Sequence, residues 1–204
     1  MSKIEITDRC IPLATEAPAS SKVLLELAQD HVIFYVAEPT KELRAQVYGE
    51  GTPQVLMQGV QHCHGFIHEG VGYLYTALVS GGIRLLVYRT PGEFAQPPTA
   101  IAMSYTASYV HVVHQHGCYF MTLDTGLKLF LLVSKDPYFT NIQAQSIYAN
   151  SRDLVYRMSK PVAMVHPDNY HAGPAPSLAT IAVERLTKST GATDVGFFVV
   201  EVVL

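Results

Sequence analysis

"LLVYRTPGEF" at residues 85–94 and "LLVSKDPYF" at residues 131–139 say nearly the same thing, 46 positions apart (131 − 85 = 46). The match extends backwards at that offset, laying "HEGVGYLYT" (68–76) over "HQHGCYFMT" (114–122). His68/His114, Tyr73/Tyr119, Thr76/Thr122, Leu85/Leu131, Leu86/Leu132, Val87/Val133 and Pro91/Pro137 are identical, seven of the 24 positions from 68 to 91. Arg89/Lys135 keep their charge, and Phe94/Phe139 align after one deletion. The shared positions are strand apolars and turn residues, which is what a repeated hairpin has to keep. "GYLYTAL" alternates, "SGG" (80–82) supplies the positive φ of a tight turn, and "IRLLVYR" returns as the partner strand. In the second copy "CYFMTLDTGLKLFLLVS" does the same around Asp124, Thr125 and Gly126.

Two weaker copies flank these. "VIFYVAEP" (32–39) lies on "LLVYRTP" at an offset of 52, and "VAMVH" (162–166) lies on "VHVVH" (110–114) at the same spacing. Beyond it "TIAVERLTKS" (180–189) falls on "KLFLLVSKDP". Further strand material lies in "AIAMSYTASYV", "AQSIYANSRDLVYRM" and the β-branched, aromatic "VGFFVVEVV". "SSKVLLELAQD" (20–30) carries an N-cap serine and helix-spaced apolars, and reads either as a helix or as the first strand of a unit. The expected class is all-β: a propeller-like array of four or five antiparallel blades with a 46 to 52 residue period, in one domain over residues 1–204. The units fall near 31–62, 63–107, 108–150 and 151–204, and a β-sandwich or barrel is the alternative.

Only 15% of the residues are charged, against roughly 25% in an ordinary soluble domain. From Phe94 to Leu123 there is no Asp, Glu, Lys or Arg, yet Pro, Gln, Ser, Thr and His break the run, so it is no membrane span. Buried sheet is one explanation, and a face covered by other copies of the chain or by other assembly subunits is another. The net charge of −3 and the lack of a Lys/Arg cluster exclude an electrostatic nucleic-acid footprint. Glu5 and Asp8 stand where a signal peptide needs apolar residues, so synthesis in a cytoplasm is expected. Cys10, Cys63 and Cys118 are three thiols without CxxC spacing, which excludes a disulfide framework and leaves Cys63 and Cys118 as buried thiols.

The unit "GYLYT…GIRLLVYRTPGEF" resembles a blade of five-bladed propellers of the glycoside-hydrolase type. Its strand is similar to their Tyr-rich "YLYY" strand, and "LLVSKDPYF" to their "ATSKD" strand end followed by an aromatic. The resemblance covers residues 63–140 and implies a propeller whose centre gathers carboxylates, one as acid and one as base or nucleophile. At the matching positions this chain has Glu69 in one copy and Gln115 in the next, while Asp124, Asp136 and Asp153 sit at turns. There is no Trp to stack on a sugar, although the 12 Tyr can substitute. Catalysis is therefore not carried over, and no catalytic residue is expected. Propeller domains of bacteriophage tail and virion proteins are similar in their charge-poor, Tyr-rich, Trp-free composition.

His62, His64 and Glu69 stand in the H-x-H-x4-E order of the first cupin motif, and alternating strand histidines share a face suited to a first-row metal. The cupin glycines are replaced by Leu56 and Thr76, and "HPDNYHAGP" does not match the second motif, so no metal or other cofactor is expected. The histidines are read as lining strand faces or subunit interfaces, which would respond to pH near 6. No nucleophile elbow, phosphate-binding loop or HExxH helix occurs. The functional expectation is a non-enzymatic assembly protein, most concretely a bacteriophage virion or tail component. The alternatives are a carbohydrate-binding or glycosidase-like propeller, with a surface glycan as partner, and a cupin-like metal-binding protein.

Overall fold

The computed structural model describes residues 19–50, 52–101, 107–115, 117–125, 128–149, 162–165, 177–186 and 193–202. Cys10, His116, Gly126, Asp153, "HPDNYHAGP" and the acidic stretch of residues 1–18 lie outside the described residues. β1 (Ala19–Leu27), β2 (Asp30–Ala37), β3 (Glu42–Val47) and β4 (Gln54–Met57) form a first sheet. β5 (Val60–His68), β6 (Val71–Leu78), β7 (Ile83–Tyr88) and β8 (Thr99–Ile101) form a second. The third holds β9 (Tyr109–Gln115), β10 (Cys118–Asp124), β11 (Lys128–Ser134) and β12 (Ile142–Ala149), and the fourth β13 (Val162–Val165), β14 (Ser177–Leu186) and β15 (Thr193–Val202). Every sheet is an antiparallel meander in chain order. The first strands stand side by side, β1 against β5, β5 against β9 and β9 against β13, which is the radial arrangement of propeller blades.

The stretch 20–30 is strand, not helix. Ser21, Leu25 and Leu27 are buried while Lys22, Glu26 and Leu24 (60% exposed) face out, so a period of two prevails over the helical spacing of its apolar residues. Pairing across the turn, Leu27 with Asp30 and Leu25 with Val32, supplies the backbone partners. Both flanking copies also differ from the expected alignment by one strand. "VIFYV" is β2, the second strand of its sheet, whereas "LLVY" is β7, the third; Thr180 lies on β14, paired directly with β13, whereas Lys128 opens a third strand. Any apolar strand ending in a polar turn resembles its neighbours, so short matches slip by a strand without cost to the pattern.

The two strong copies agree with the hairpins. Gly81 (φ 91°) and Gly82 (φ 86°) turn β6 into β7, a backbone region that only glycine enters freely. After β7 the chain enters a three-residue 3₁₀ turn at Pro91–Glu93, and Phe94 swings back to pack on Phe34 and Tyr88 at 5.7 and 5.0 Å between ring centroids. Phe139 repeats the move against Tyr75 at 6.3 Å. Each ring fills the gap to the preceding blade.

The second sheet is buried on both faces. Leu74, Leu86 and Tyr88 pack with Leu25, Leu27 and Phe34 of the first sheet, and Tyr75, Ile83 and Leu85 pack with Val112, Met121 and Leu132 of the third. A strand covered on both sides reads as a continuous apolar run, which is why "LLVY" does not alternate. It also places much of the charge-free 94–123 stretch against neighbouring blades of the same chain: Phe94, Ile101, Ala107, Val110, Val112, Phe120, Met121 and Leu123 are all buried. The close approach is tightest at glycines. A Cβ on Gly65 would lie 2.8 Å from the Tyr73 carbonyl oxygen and 3.1 Å from Leu74. Gly65→Ala is expected to lower stability by about 1–3 kcal/mol in urea denaturation, since backbone must move. Gly92→Ala, whose nearest neighbour is an ordinary 3.6 Å contact, should stay within about 0.5 kcal/mol.

Candidate functional site

The inner strands β5 and β9 run side by side in the same direction, so side chains of equal rank meet across the gap. His62 meets Tyr109 at 4.2 Å between ring centroids, His64 meets His111 at 3.8 Å, and His68 meets His114 at 4.0 Å. Phe66, between His64 and His68, reaches Tyr73, Tyr75 and Tyr119 at 5.6 to 6.2 Å. The opposite face of β5 turns to the first sheet, with Cys63 and Gly65 buried there against Ser21 and Leu25. Period-two alternation thus sends the ring-bearing residues of "HCHGFIH" to one side and Cys63, Gly65 and Ile67 to the other.

A backbone bond fixes this seam. The Val112 N–H donates to His64 Nδ1 at 3.2 Å, so Nδ1 is the unprotonated acceptor and a neutral ring carries its proton on Nε2. Burial, then His111 and His62 nearby, pushes His64 down to about 3, and burial takes His111 down to about 4. His114 is also lowered, by burial and then by His68. His64 and His111 are therefore packed as neutral rings. The sequence reads these histidines as lining strand faces or subunit interfaces; their described partners lie on the adjacent blade of the same chain, and burial displaces the titration of His64 and His111 to pH well below 6.

The cupin-like triad is not assembled. His62 and His64 stack on different partners, while Glu69 sits in the β5–β6 turn at φ 50°, its side chain 84% exposed and 3.9 Å from His68 Nε2. Among the described residues no three His, Cys, Asp or Glu side chains are grouped to hold a metal ion. Cys63 and Cys118 are free and buried, with the Cys63 thiol pushed up to about 11 by burial.

The seam has two ends. Where β5 and β9 begin, a cleft of about 150 Å³ is lined by Gln61, Leu78, Val79, Ala107, Ser108 and Thr125. Where they finish, Tyr73 and Tyr119 lie 6.4 Å apart, with His114 4.5 Å from Tyr119. The turn after β11 carries Tyr138, 41% exposed, between Pro137 and Phe139, which both reach Tyr75 of the second blade. Tyr75 donates its hydroxyl to the Pro137 carbonyl at 2.9 Å, tying this turn to the second blade. The phenols of Tyr73 and Tyr119 are both raised, first by burial; Tyr138 and then Glu69 add to this at Tyr73, and Tyr73 and then Glu69 at Tyr119. Asp136 is a turn staple: one oxygen accepts from the N–H groups of Tyr138 (2.9 Å) and Thr140 (3.2 Å), the other from Ser134 Oγ and Thr140 Oγ1 (both 3.0 Å). Sequence reasoning singled out the histidines but missed this aromatic cluster. Its signal was the pair of identities Tyr73/Tyr119 and His68/His114, because equivalent residues of adjacent blades touch.

No family model matches the chain, and no curated protein does. Among solved structures, an endo-arabinase from Bacteroides thetaiotaomicron VPI-5482 superposes with a TM-score of 0.54 at 12% identity, over 93% of this chain and 77% of that one. A protein described as Bacteroides ovatus Xyloglucan PUL GH43B gives 0.51 at 11% identity, over 91% of this chain and 42% of that one. The fold is a β-propeller. At these identities the likeness is one of fold, and it is to propellers of the glycoside-hydrolase kind that the repeated hairpin already resembled. The chain spans less than half of the second of these proteins.

Because the folded pKa values of His64 and His111 lie below the unfolded value near 6.5, the unfolded chain takes up protons first as pH falls. Stability is present above about pH 6.5 and is lost between there and pH 4 to 3, at up to about 1.4 kcal/mol per pH unit per histidine. Urea midpoints measured from pH 7.5 to 4 should fall steadily, and a flat profile would contradict the buried seam.

Proposed function

We propose that this chain is a carbohydrate-binding propeller that holds saccharides without cleaving them. The observation that carries the reading is the match of over nine-tenths of the chain to the fold of two proteins described as an endo-arabinase and as Xyloglucan PUL GH43B. An aromatic and imidazole seam with polar tips suits sugar recognition, since Tyr offers an apolar face beside a hydroxyl. Hydrolysis needs a pair of carboxylates flanking the bond, about 5–10 Å apart. Among the described residues four carboxylates have other duties: Asp136 staples its turn, Glu42 pairs with Arg44, Glu38 with Lys41, and Glu93 accepts from the Arg89 N–H. Nothing in these neighbours favours the virion or tail reading, and the carbohydrate reading takes its place.

The test is titration calorimetry with arabino-oligosaccharides and xyloglucan oligosaccharides, paired with a reducing-end assay. Saturable binding without release of new reducing ends is expected. Failure to bind any neutral glycan removes the proposal, and catalytic release of sugar overturns its non-hydrolytic half.

A further inference from the structure

We infer that the Tyr73–Tyr119–Tyr138 cluster, with His68, His114 and Glu69 at its rim, is a binding site for a neutral sugar ring at the end of the seam where the inner strands finish. The inference rests on the proposed function and assigns it a place, away from the Gln61–Ser108 cleft at the other end. The rings of Tyr73, Tyr119, His68 and His114 lie close enough to act as one surface: Tyr73 to Tyr119 is 6.4 Å, His114 to Tyr119 4.5 Å and His68 to Tyr119 6.5 Å, edge-on at 85°. Tyr119 is almost covered at 6% exposure, while Tyr138 at 41% stands open as the outer wall. The cluster thus grades from a packed floor to an accessible lip. A sugar ring presents C–H patches to aromatic faces and hydroxyls to their edges, and the residues supply both.

The polar inventory decides the ligand class. Phenols and neutral imidazoles can each donate and accept, which matches hydroxyl groups that do the same. Glu69 accepts only, and its left-handed turn projects an 84% exposed carboxylate beside His68. An anionic sugar would meet that charge at close range, so a neutral ring is favoured. The Asp136 oxygens are already occupied by four donors within the turn, leaving Glu69 as the acceptor that faces solvent. The turn carrying Tyr138 is held by that staple and by the Tyr75–Pro137 bond, so the wall is in place before a ligand arrives.

The chain has no Trp, so its intrinsic fluorescence comes from its 12 tyrosines, and the contribution of the site is read as the difference between the unmodified chain and the Tyr variants. Fluorescence and calorimetric titrations would use arabino-oligosaccharide, xyloglucan oligosaccharide and oligogalacturonate against the unmodified chain, Tyr138→Ala, Glu69→Gln and Tyr48→Ala. Tyr48 is an exposed tyrosine of the first sheet and serves as the control, and circular dichroism checks that each variant folds. Expected are binding of a neutral oligosaccharide, at least tenfold weaker in Tyr138→Ala, several-fold weaker in Glu69→Gln and unchanged in Tyr48→Ala. If the neutral sugar binds undiminished in Tyr138→Ala and Glu69→Gln, the site is wrong although the proposed function stands. If no glycan binds the unmodified chain, both fall together. Equal affinity for oligogalacturonate overturns the neutral class. Light scattering that shows Tyr138→Ala dissociating a dimer overturns the site in favour of a protein interface.

Discussion

The structure depends on how the innermost strand of each blade satisfies its open edge. β5 and β9 are edge strands, each with one side paired within its sheet and the other turned to the neighbouring blade. An edge left bare invites pairing with another chain. Here the preceding blade supplies side chains instead: Ser21 Oγ accepts the Cys63 N–H at 3.2 Å and donates to the Cys63 carbonyl at 2.7 Å, and His64 Nδ1 accepts the Val112 N–H. A hydroxyl and an imidazole do the same job in successive gaps. The choice of a ring in the second gap has a cost, because a buried neutral histidine is stable only where its proton can be refused.

Side-by-side inner strands explain why the internal repeat preserved the residues it did. In a radial array, the same position in consecutive units lies next to itself, so an identity along the sequence becomes a contact in space. His68 touches His114 and Tyr73 approaches Tyr119 for this reason, and Phe94 and Phe139 occupy the same wedge in consecutive gaps. Burial on both faces of a blade in turn permits a composition poor in charge. Interior surface is shared among blades of one chain, and residues 109–112 and 118–123 of the stretch without a charged residue lie within it.

The hairpin grammar of residues 68–139 was legible in the sequence, because alternation, turn glycines and prolines act locally. The fold class followed from it, and the comparisons agree. The alignment of the weaker copies was not legible. Strands two and three of a blade carry the same pattern, and only pairing tells them apart, as with "VIFYV" on β2. The stretch 20–30 read as helix or strand because Leu24 is apolar but exposed, so composition alone could not set its period. For the histidines, the sequence showed a shared face on β5 but not that another strand's rings would fill the space a metal would need. Tyr138 carried no signal of its own, since its importance comes from a turn delivered to an adjacent blade by Tyr75.

Gly65 and Gly72 bear on whether the units are interchangeable. At the spacing of 47 that sets His64 against His111, their counterparts facing the preceding blade are Val112 and Tyr119 (65 + 47 = 112; 72 + 47 = 119). A Cβ on Gly72 would come within 2.6 Å of Leu27 Cδ2, so the first blade accepts a neighbour only where that neighbour is bare of side chain. The third blade would present a branched aliphatic side chain and a phenol at the same points. Blades alike enough to share a hairpin are thus keyed to their places, and the order of the units around the axis is written in what two residues lack.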